Sequence, residues 1–457
     1  MQWLIFNHNE LEIRPRHGRI SDRPAKPNPD DHFELPLNDM SSATAPEADS
    51  QPWFPRVADA LLSEYLALFP IVVVTGARRT GKSTLVRGHA DAQAWPYRSL
   101  DELDLRLAAE AAPQEFASAA VPGVIDEVQR VPAVVLAIKA IVDRARDAAP
   151  GRFILTGSAN LLSHPDVGDS LAGRAGYLRL GPLTRQERLG IPSAGRWSEL
   201  FDRPAAEWAG MLREGDAAPE DWRAAVRLGG LPQVVRAGSD AARARLLLGY
   251  ADTYLERDLR DLSQVDQLPD FRRVMRAAAL RTGGLLNVAE LSRDVGVPAT
   301  TVKRWLDLLE ISYLVVRVEA WTTNRTSRLM KSPKLYWCDT ALGLFVADAP
   351  EPAGAHLENL VLSDLLVWRE LYAPRPGVFH WRATSGREVD FVLERRNRVL
   401  PVEVKATTRP VPADWKHLRA FLDEYGDLAI GALLLHCGDE VMPVADRIVA
   451  APWWRVL

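Results

Sequence analysis

Cysteine is scarce. The 457 residues include two, Cys338 and Cys437, and neither lies in a CxxC or Cys/His cluster. That excludes a disulfide scaffold and a cysteine-based zinc site, and it is the usage of a reducing compartment. Long apolar runs are lacking too. No stretch approaches the ~18 residues of a membrane helix; the most tempting, Leu66 to Val74, is broken by Pro70 and ends at a glycine-rich turn. The opening Met-Gln-Trp-Leu-Ile-Phe has neither the basic start nor the cleavage site of a signal peptide. The cytoplasm is therefore the expected compartment, with no membrane partner. A basic excess is also missing, since Lys+Arg 56 against Asp+Glu 60 gives a net charge of −4. A permanently sticky nucleic-acid binder is thereby disfavoured, and only local basic patches remain for that role.

What is present reads as a globular chain, with 47% hydrophobic and 25% charged residues, long enough for about two to four structural units. Residues 1–52 are rich in Pro, Asp, Asn and Ser, with prolines at 15, 24, 27, 29, 36 and 46. Few apolar groups there offset the entropy of ordering, so a flexible arm is expected, with Met40 as an alternative start. From Arg56 the pattern changes to alternating helical and apolar strand-like runs, the signature of an α/β domain with a parallel sheet, over 53–195. A mainly helical linker or lid is expected over 196–280, a winged-helix-like segment over 281–330, and mixed α/β patterning over 331–457.

The sharpest local signal is Gly76-Ala77-Arg78-Arg79-Thr80-Gly81-Lys82-Ser83-Thr84, which fits the phosphate-loop pattern GxxxxGK(S/T). It follows the apolar run Ile71 to Val74, as the chemistry demands. A buried strand delivers the chain, glycines turn backbone N–H groups toward phosphates, and the next helix points its positive end at them. Lys82 would contact the β- and γ-phosphates of ATP and the Ser83 hydroxyl would ligate Mg²⁺. Val124-Ile125-Asp126-Glu127 supplies the second element: Asp126 would organise Mg²⁺, and Glu127 would polarise the attacking water. The run Thr156-Gly157-Ser158-Ala159-Asn160 offers Ser158 as a γ-phosphate sensor or, equally, as a helix cap. Arg174, in Leu-Ala-Gly-Arg, reads either as an arginine finger toward a neighbouring subunit or as a surface ion pair.

The run from Pro55-Arg56 through Gly-Ala-Arg-Arg-Thr-Gly-Lys-Ser, Ile-Asp-Glu-Val-Gln and Leu-Thr-Gly-Ser to Gly-Arg resembles a family of prokaryotic AAA-type ATPases. Their C-terminal domain, of the DUF4143 type, is similar to restriction endonucleases. The likeness continues at Gly229-Gly230-Leu231-Pro232, Tyr254-Leu255-Glu256-Arg257-Asp258 and Lys331 to Asp339. It implies an AAA-like core, a winged-helix segment, a nuclease-like domain and a homo-oligomer if Arg174 acts in trans, but no settled substrate.

In the C-terminal part, alternation along Val399 to Ala406 places Glu403 and Lys405 on one face of a strand. Asp390 lies on the preceding strand, joined through Arg395-Arg396-Asn397-Arg398, and Glu358 near the start of a helix from Leu357 to Leu371. The set resembles the PD-(D/E)xK nuclease pattern. Asp390, Glu403 and Glu358 would hold Mg²⁺, and Lys405 would orient the nucleophile. A hairpin with a charged solvent face shows the same letters. Val288 to Glu310 reads as helix-turn-helix, with Val302, Trp305, Leu306 and Leu309 inward and Thr300, Thr301, Lys303 and Arg304 outward toward DNA. Arg317, Arg325, Arg328, Lys331 and Lys334 form a candidate phosphate-tracking strip. The expectation is an ATP-hydrolysing machine that engages nucleic acid under ATP control, with cleavage by the C-terminal site left open. The rival expectations are a non-nucleolytic switch recognising protein or DNA, and an ATP-responsive DNA-binding regulator.

Overall fold

The computed structural model describes residues 54–457 apart from 145–148, 158–170, 216, 254–267, 329 and 350. By contacts the chain divides into Met1–Pro52 and Trp53–Leu457, and all the described residues belong to the second unit.

Five parallel strands form the first sheet: β1 (Ile71–Thr75), β2 (Tyr97–Ser99), β3 (Gly123–Asp126), β4 (Phe153–Thr156) and β5 (Ala175–Arg179), in the order β2-β3-β4-β1-β5. β1 is apolar throughout because both of its faces are covered. Val72 and Val74 pack with helices Val57–Leu68 and Lys82–Gln93, while Ile71 and Val73 pack with Pro132–Arg144.

Helices Leu268–Ala279, Val288–Val295 and Ala299–Ile311 follow, with a two-stranded antiparallel wing of β6 (Val315–Val318) and β7 (Lys334–Trp337). The Asn287 side chain caps the middle helix by accepting the Glu290 N–H, and Gly296 ends it with a φ of 69°. Val302, Trp305, Leu306 and Leu309 are buried as expected, Trp305 edge-on to Phe271 with ring centroids 5.4 Å apart. β6 and β7 pair across the boundary expected at 330/331, so the wing continues into what reads in sequence as the next domain.

The C-terminal sheet is mixed, in the order β12-β13-β11-β10-β9-β8, built from β8 (Gly377–Arg382), β9 (Glu388–Arg395), β10 (Arg398–Val404), β11 (Ala432–His436), β12 (Met442–Ala445) and β13 (Ile448–Pro452). The expected β9–β10 hairpin turns through Arg396 and Asn397, with φ of 51° and 62°, the positive pair of a tight two-residue turn. Helix Gly354–Glu370 covers one face and Lys416–Tyr425 the other. The helices Trp197–Asp202 and Ala205–Arg213, read in sequence as part of a lid, pack instead on this sheet. Trp197, Trp208 and Met211 share a core with Leu433, Val449 and Trp453.

Candidate nucleotide site and C-terminal acidic cluster

β1 enters the loop Gly76–Thr84 from between β4 and β5. Gly76 has a φ of 141°, and a Cβ there would lie 2.2 Å from the Leu180 carbonyl oxygen, so only glycine lets the chain leave β1 so close to the end of β5. Gly81, at φ 98°, immediately precedes helix Lys82–Gln93, whose first N–H groups therefore open on the loop. Lys82 is buried, and its ammonium donates to the Gly76 and Ala77 carbonyls, each at 2.9 Å. The Thr80 hydroxyl donates to Ala77 O at 2.9 Å. Arg78, Arg79, Gly81, Lys82, Ser83, Thr84 and Glu127 line a cavity of about 460 Å³, a volume suited to a small-molecule ligand.

Asp126, at the end of β3, accepts the Tyr97 hydroxyl at 2.6 Å and the Thr156 hydroxyl. The Thr156 Oγ1 in turn accepts the Glu127 N–H at 3.1 Å. Glu127 takes a left-handed φ of 55°, uncommon outside glycine, which turns its side chain into the cavity wall. Burial pushes the Glu127 carboxyl above its ordinary range, opposed by a hydrogen bond from Gln129.

Several of these groups carry no local signature. Arg56 braces the loop from outside: its guanidinium donates to Thr80 O at 2.8 Å and Gly181 O at 2.7 Å and pairs with Glu187 at 3.1 Å. Pro232, Gln233 and Arg236, on helix Pro232–Arg236, close the far wall of the cavity, and the Arg236 guanidinium lies 5.2 Å from the centre of the Phe54 ring. Ser158 lies outside the described residues, as does the Tyr254 to Asp258 run. Arg174 stands just before β5, whose register pairs Ala175 with Ile71. That is the opposite end of the sheet from the loop, roughly 15 Å along the strand. There its guanidinium pairs with Asp143.

At the C-terminal end, Glu358, Asp390, Glu403 and Lys405 do converge, but around a residue that sequence reading assigned elsewhere. The ammonium of Lys334, 2% exposed, lies 2.6 Å from Glu388, 3.2 Å from Asp390 and 3.6 Å from Glu358. Lys405 pairs with Glu403, Tyr336 donates its hydroxyl to Glu358 at 2.9 Å, and Asp390 Oδ2 accepts the Val404 N–H at 3.0 Å. Burial, together with the Asp390 carboxylate, pushes Glu358 and Glu403 well above the ordinary carboxylate range, while the surrounding carboxylates raise Lys334 against its own burial. The expected Mg²⁺ set of Glu358, Asp390 and Glu403 does not fit a metal as arranged. Among the described residues no group of three or more Asp, Glu, His or Cys is disposed to share an ion, and an ammonium holds the centre. The phosphate-tracking strip needs the same correction. Lys334 is buried, Arg317 pairs with Asp307 and Glu310, and Arg328 pairs with Glu394; Arg325 and Lys331 are the members left exposed.

A glycine loop running from a central parallel strand into a helix, with a buried lysine at the junction and an Asp-Glu pair at the end of β3, one strand removed from β1, defines a P-loop ATPase of the AAA type. Residues 68–189 match the model of an AAA domain, 219–353 a domain of unknown function (DUF8612) and 353–456 a domain of unknown function (DUF4143). Two curated relatives, the uncharacterized proteins Rv2008c of Mycobacterium tuberculosis and Mb2031c of Mycobacterium bovis, are each 30% identical over 417 residues, 88% of this chain and 84% of theirs. The chain belongs to their family, the AAA-type P-loop ATPases with a C-terminal DUF4143 domain. Among solved structures, the Walker-type ATPase PABY2304 of Pyrococcus abyssi overlaps 65% of this chain and 99% of its own, at 16% identity and TM-score 0.39. AMPPCP-bound DnaA from Aquifex aeolicus overlaps 56% and 86%, at 13% identity and TM-score 0.26.

Proposed function

We propose that the protein is an ATP-driven switch whose nucleotide state controls how the winged-helix and C-terminal half engages nucleic acid. The observation that carries this reading is a bond that ties the wall of the nucleotide cavity to the end of the wing. The Gly230 N–H, at the foot of the helix that walls the cavity, donates to the buried Asp339 carboxylate at 2.6 Å, and Asp339 lies one residue beyond β7, where it caps helix Thr340–Ala347. A shift of the Pro232–Arg236 helix on nucleotide exchange therefore pulls on the wing and, through Lys334, on the acidic cluster.

In the ATPase step, Lys82 moves from carbonyls to the β- and γ-phosphates, and the loop N–H groups hold the polyphosphate in place. Glu127 orients and polarises the attacking water, helped by a carboxyl that burial keeps basic. Ser83 lines the cavity and the Asp126 carboxylate is fixed by Tyr97 and Thr156, so these residues fit Mg²⁺, which would neutralise phosphate charge. Arg174 reaches no nucleotide of its own chain. Serving a neighbour in a homo-oligomer would require it to leave Asp143, and an Arg174→Ala ATPase rate equal to wild type at every protein concentration would remove that role.

Nucleic-acid engagement is supported by the exposed Thr300, Lys303 and Arg304 on the second helix of the helix-turn-helix. Fluorescence anisotropy of labelled duplex and single-stranded DNA, with ATP analogue, ADP or no nucleotide, tests it. The reading predicts an affinity that changes with nucleotide and falls in Lys303→Glu/Arg304→Glu. Equal affinity in every state would sink it and leave a switch that recognises protein. Metal-dependent cleavage through Asp390, Glu403 and Lys405 is not part of this reading, because the Lys334 ammonium already stands between Glu358 and Asp390. Intact plasmid in Mg²⁺ or Mn²⁺ is the expected outcome, and nicking that is lost in Lys405→Ala would overturn it.

A further inference from the structure

The C-terminal cluster has the acids of a metal-dependent nuclease but a different occupant. We propose that Lys334 is the resident counter-cation of this cluster, so that the nuclease-like module is held together without a divalent metal. The inference does not depend on what the module recognises.

Three observations carry it. The first is position: the Lys334 ammonium is within 4 Å of three carboxylates from two elements, Glu358 on helix Gly354–Glu370 and Glu388 and Asp390 on β9. A divalent ion placed among the same oxygens would lie a few ångströms from that ammonium, and like charges so close repel strongly in a dry interior.

The second is anchorage. Lys334 belongs to a strand pinned on both edges: it pairs with Val318 in the wing and bridges to Leu285 on the other side. The Leu335 N–H donates to Gly284 O at 3.0 Å, and the Gly283 and Leu286 N–H groups donate to Leu335 O and Pro333 O, each at 2.8 Å. The ammonium is thus delivered by a fixed backbone, unlike a surface lysine that swings in and out.

The third is the state of the would-be ligands. Asp390 divides its oxygens between Lys334 and the Val404 N–H; Glu358 receives the Tyr336 hydroxyl; Glu403 Oε1 is held by Lys405. Among the described residues Glu403 Oε2 is a buried carboxylate oxygen without a hydrogen-bond partner, and the neighbouring carboxylates that would join it around an ion already face the Lys334 ammonium.

The test uses the full chain, stripped with chelator and free of nucleotide, titrated with Mn²⁺ and followed by electron paramagnetic resonance and by thermal melting. Wild type is expected to take up no Mn²⁺ that Asp390→Asn abolishes, and its melting temperature should be unmoved by millimolar Mg²⁺ or Mn²⁺. Lys334→Met should melt lower in chelator by on the order of 5–10 °C, with Mn²⁺ restoring part of the loss unless Asp390 is also replaced. Lys334→Arg, which keeps the charge, should stay closer to wild type than Lys334→Met. One Mn²⁺ bound per wild-type chain and lost in Asp390→Asn would overturn the proposal. So would a Lys334→Met protein as stable as wild type in chelator. The wild-type titration decides even if Lys334→Met fails to fold.

Discussion

Two buried lysines, Lys82 and Lys334, each sit at the heart of a site, and their surroundings are opposite. Lys82 donates to two backbone carbonyls beside a cavity of about 460 Å³. Lys334 is clasped by three carboxylates, of which Glu358 also accepts the Tyr336 hydroxyl and Asp390 the Val404 N–H. Carbonyls are weak, neutral acceptors that a phosphate outcompetes for an ammonium, whereas carboxylates already supply the full countercharge. The first lysine is poised for an anionic ligand, and the second is part of the fold. A sequence motif can name a charged residue, but what decides its job is what stands beside it: an open cavity at Lys82, three clasping carboxylates at Lys334.

The sharpest way to break this contrast is to remove each lysine in turn. Lys82→Ala should cut ATP hydrolysis by on the order of 10²–10³, the usual loss when one transition-state donor is taken away, with a melting temperature near that of wild type. Phosphate release and a melt on the same sample check it. If Lys82→Ala instead destabilised the chain as much as Lys334→Met, the two lysines would be structural alike and the contrast would fall.

Lys334→Met should do the reverse. Removing one partner of a buried ion cluster costs about 3–5 kcal/mol because the carboxylates are left without their cation. Denaturant unfolding reads the loss, and the ATPase rate of the folded fraction should stay within a few-fold of wild type. A loss under ~1 kcal/mol would mean that water or another cation compensates the carboxylates.

How much of this was legible follows from how far apart the partners lie. The phosphate loop is a run of consecutive residues whose glycines, lysine and hydroxyl must be adjacent, and it reads directly. The β9–β10 hairpin and the helix-turn-helix are also local, and their inward residues came out as expected. Arg56 to Gly181 spans 125 residues, Gly230 to Asp339 spans 109, and Lys334 to Asp390 spans 56. No window of sequence contains both ends of those contacts. Lys334 was misread because it lies among basic neighbours, although a signal was present. It opens the buried strand Lys334–Trp337, with Leu335, Tyr336 and Trp337 behind it, and a charge on such a strand needs a buried partner. The packing of Trp197 and Trp208 onto the C-terminal sheet was hidden for the same reason: large side chains announce a core without saying which.

The smallest expected effect sharpens the comparison from the joint between the two regions. Asp364, on helix Gly354–Glu370, is buried and accepts the Arg185 N–H at 3.2 Å; burial is the main cause that raises its carboxyl to about 7, against help from that N–H. Its folded value lies above the unfolded one of 3.8, so the folded chain holds a proton that the unfolded chain releases. Stability from this group is therefore full below about pH 4 and is lost as pH rises toward 7. Asp364→Asn keeps an acceptor for the Arg185 N–H without the charge. It should leave stability nearly unchanged at pH 4 and raise it at pH 8 by on the order of 1–2 kcal/mol or more, read from denaturant midpoints at the two pH values. Equal midpoint shifts at both would mean that the joint does not hold a neutral carboxyl. A destabilised variant at pH 8 would mean that the nearby Arg185 and Arg188 keep Asp364 charged, which would make the joint a second site, beside that of Lys334, whose countercharge is built in.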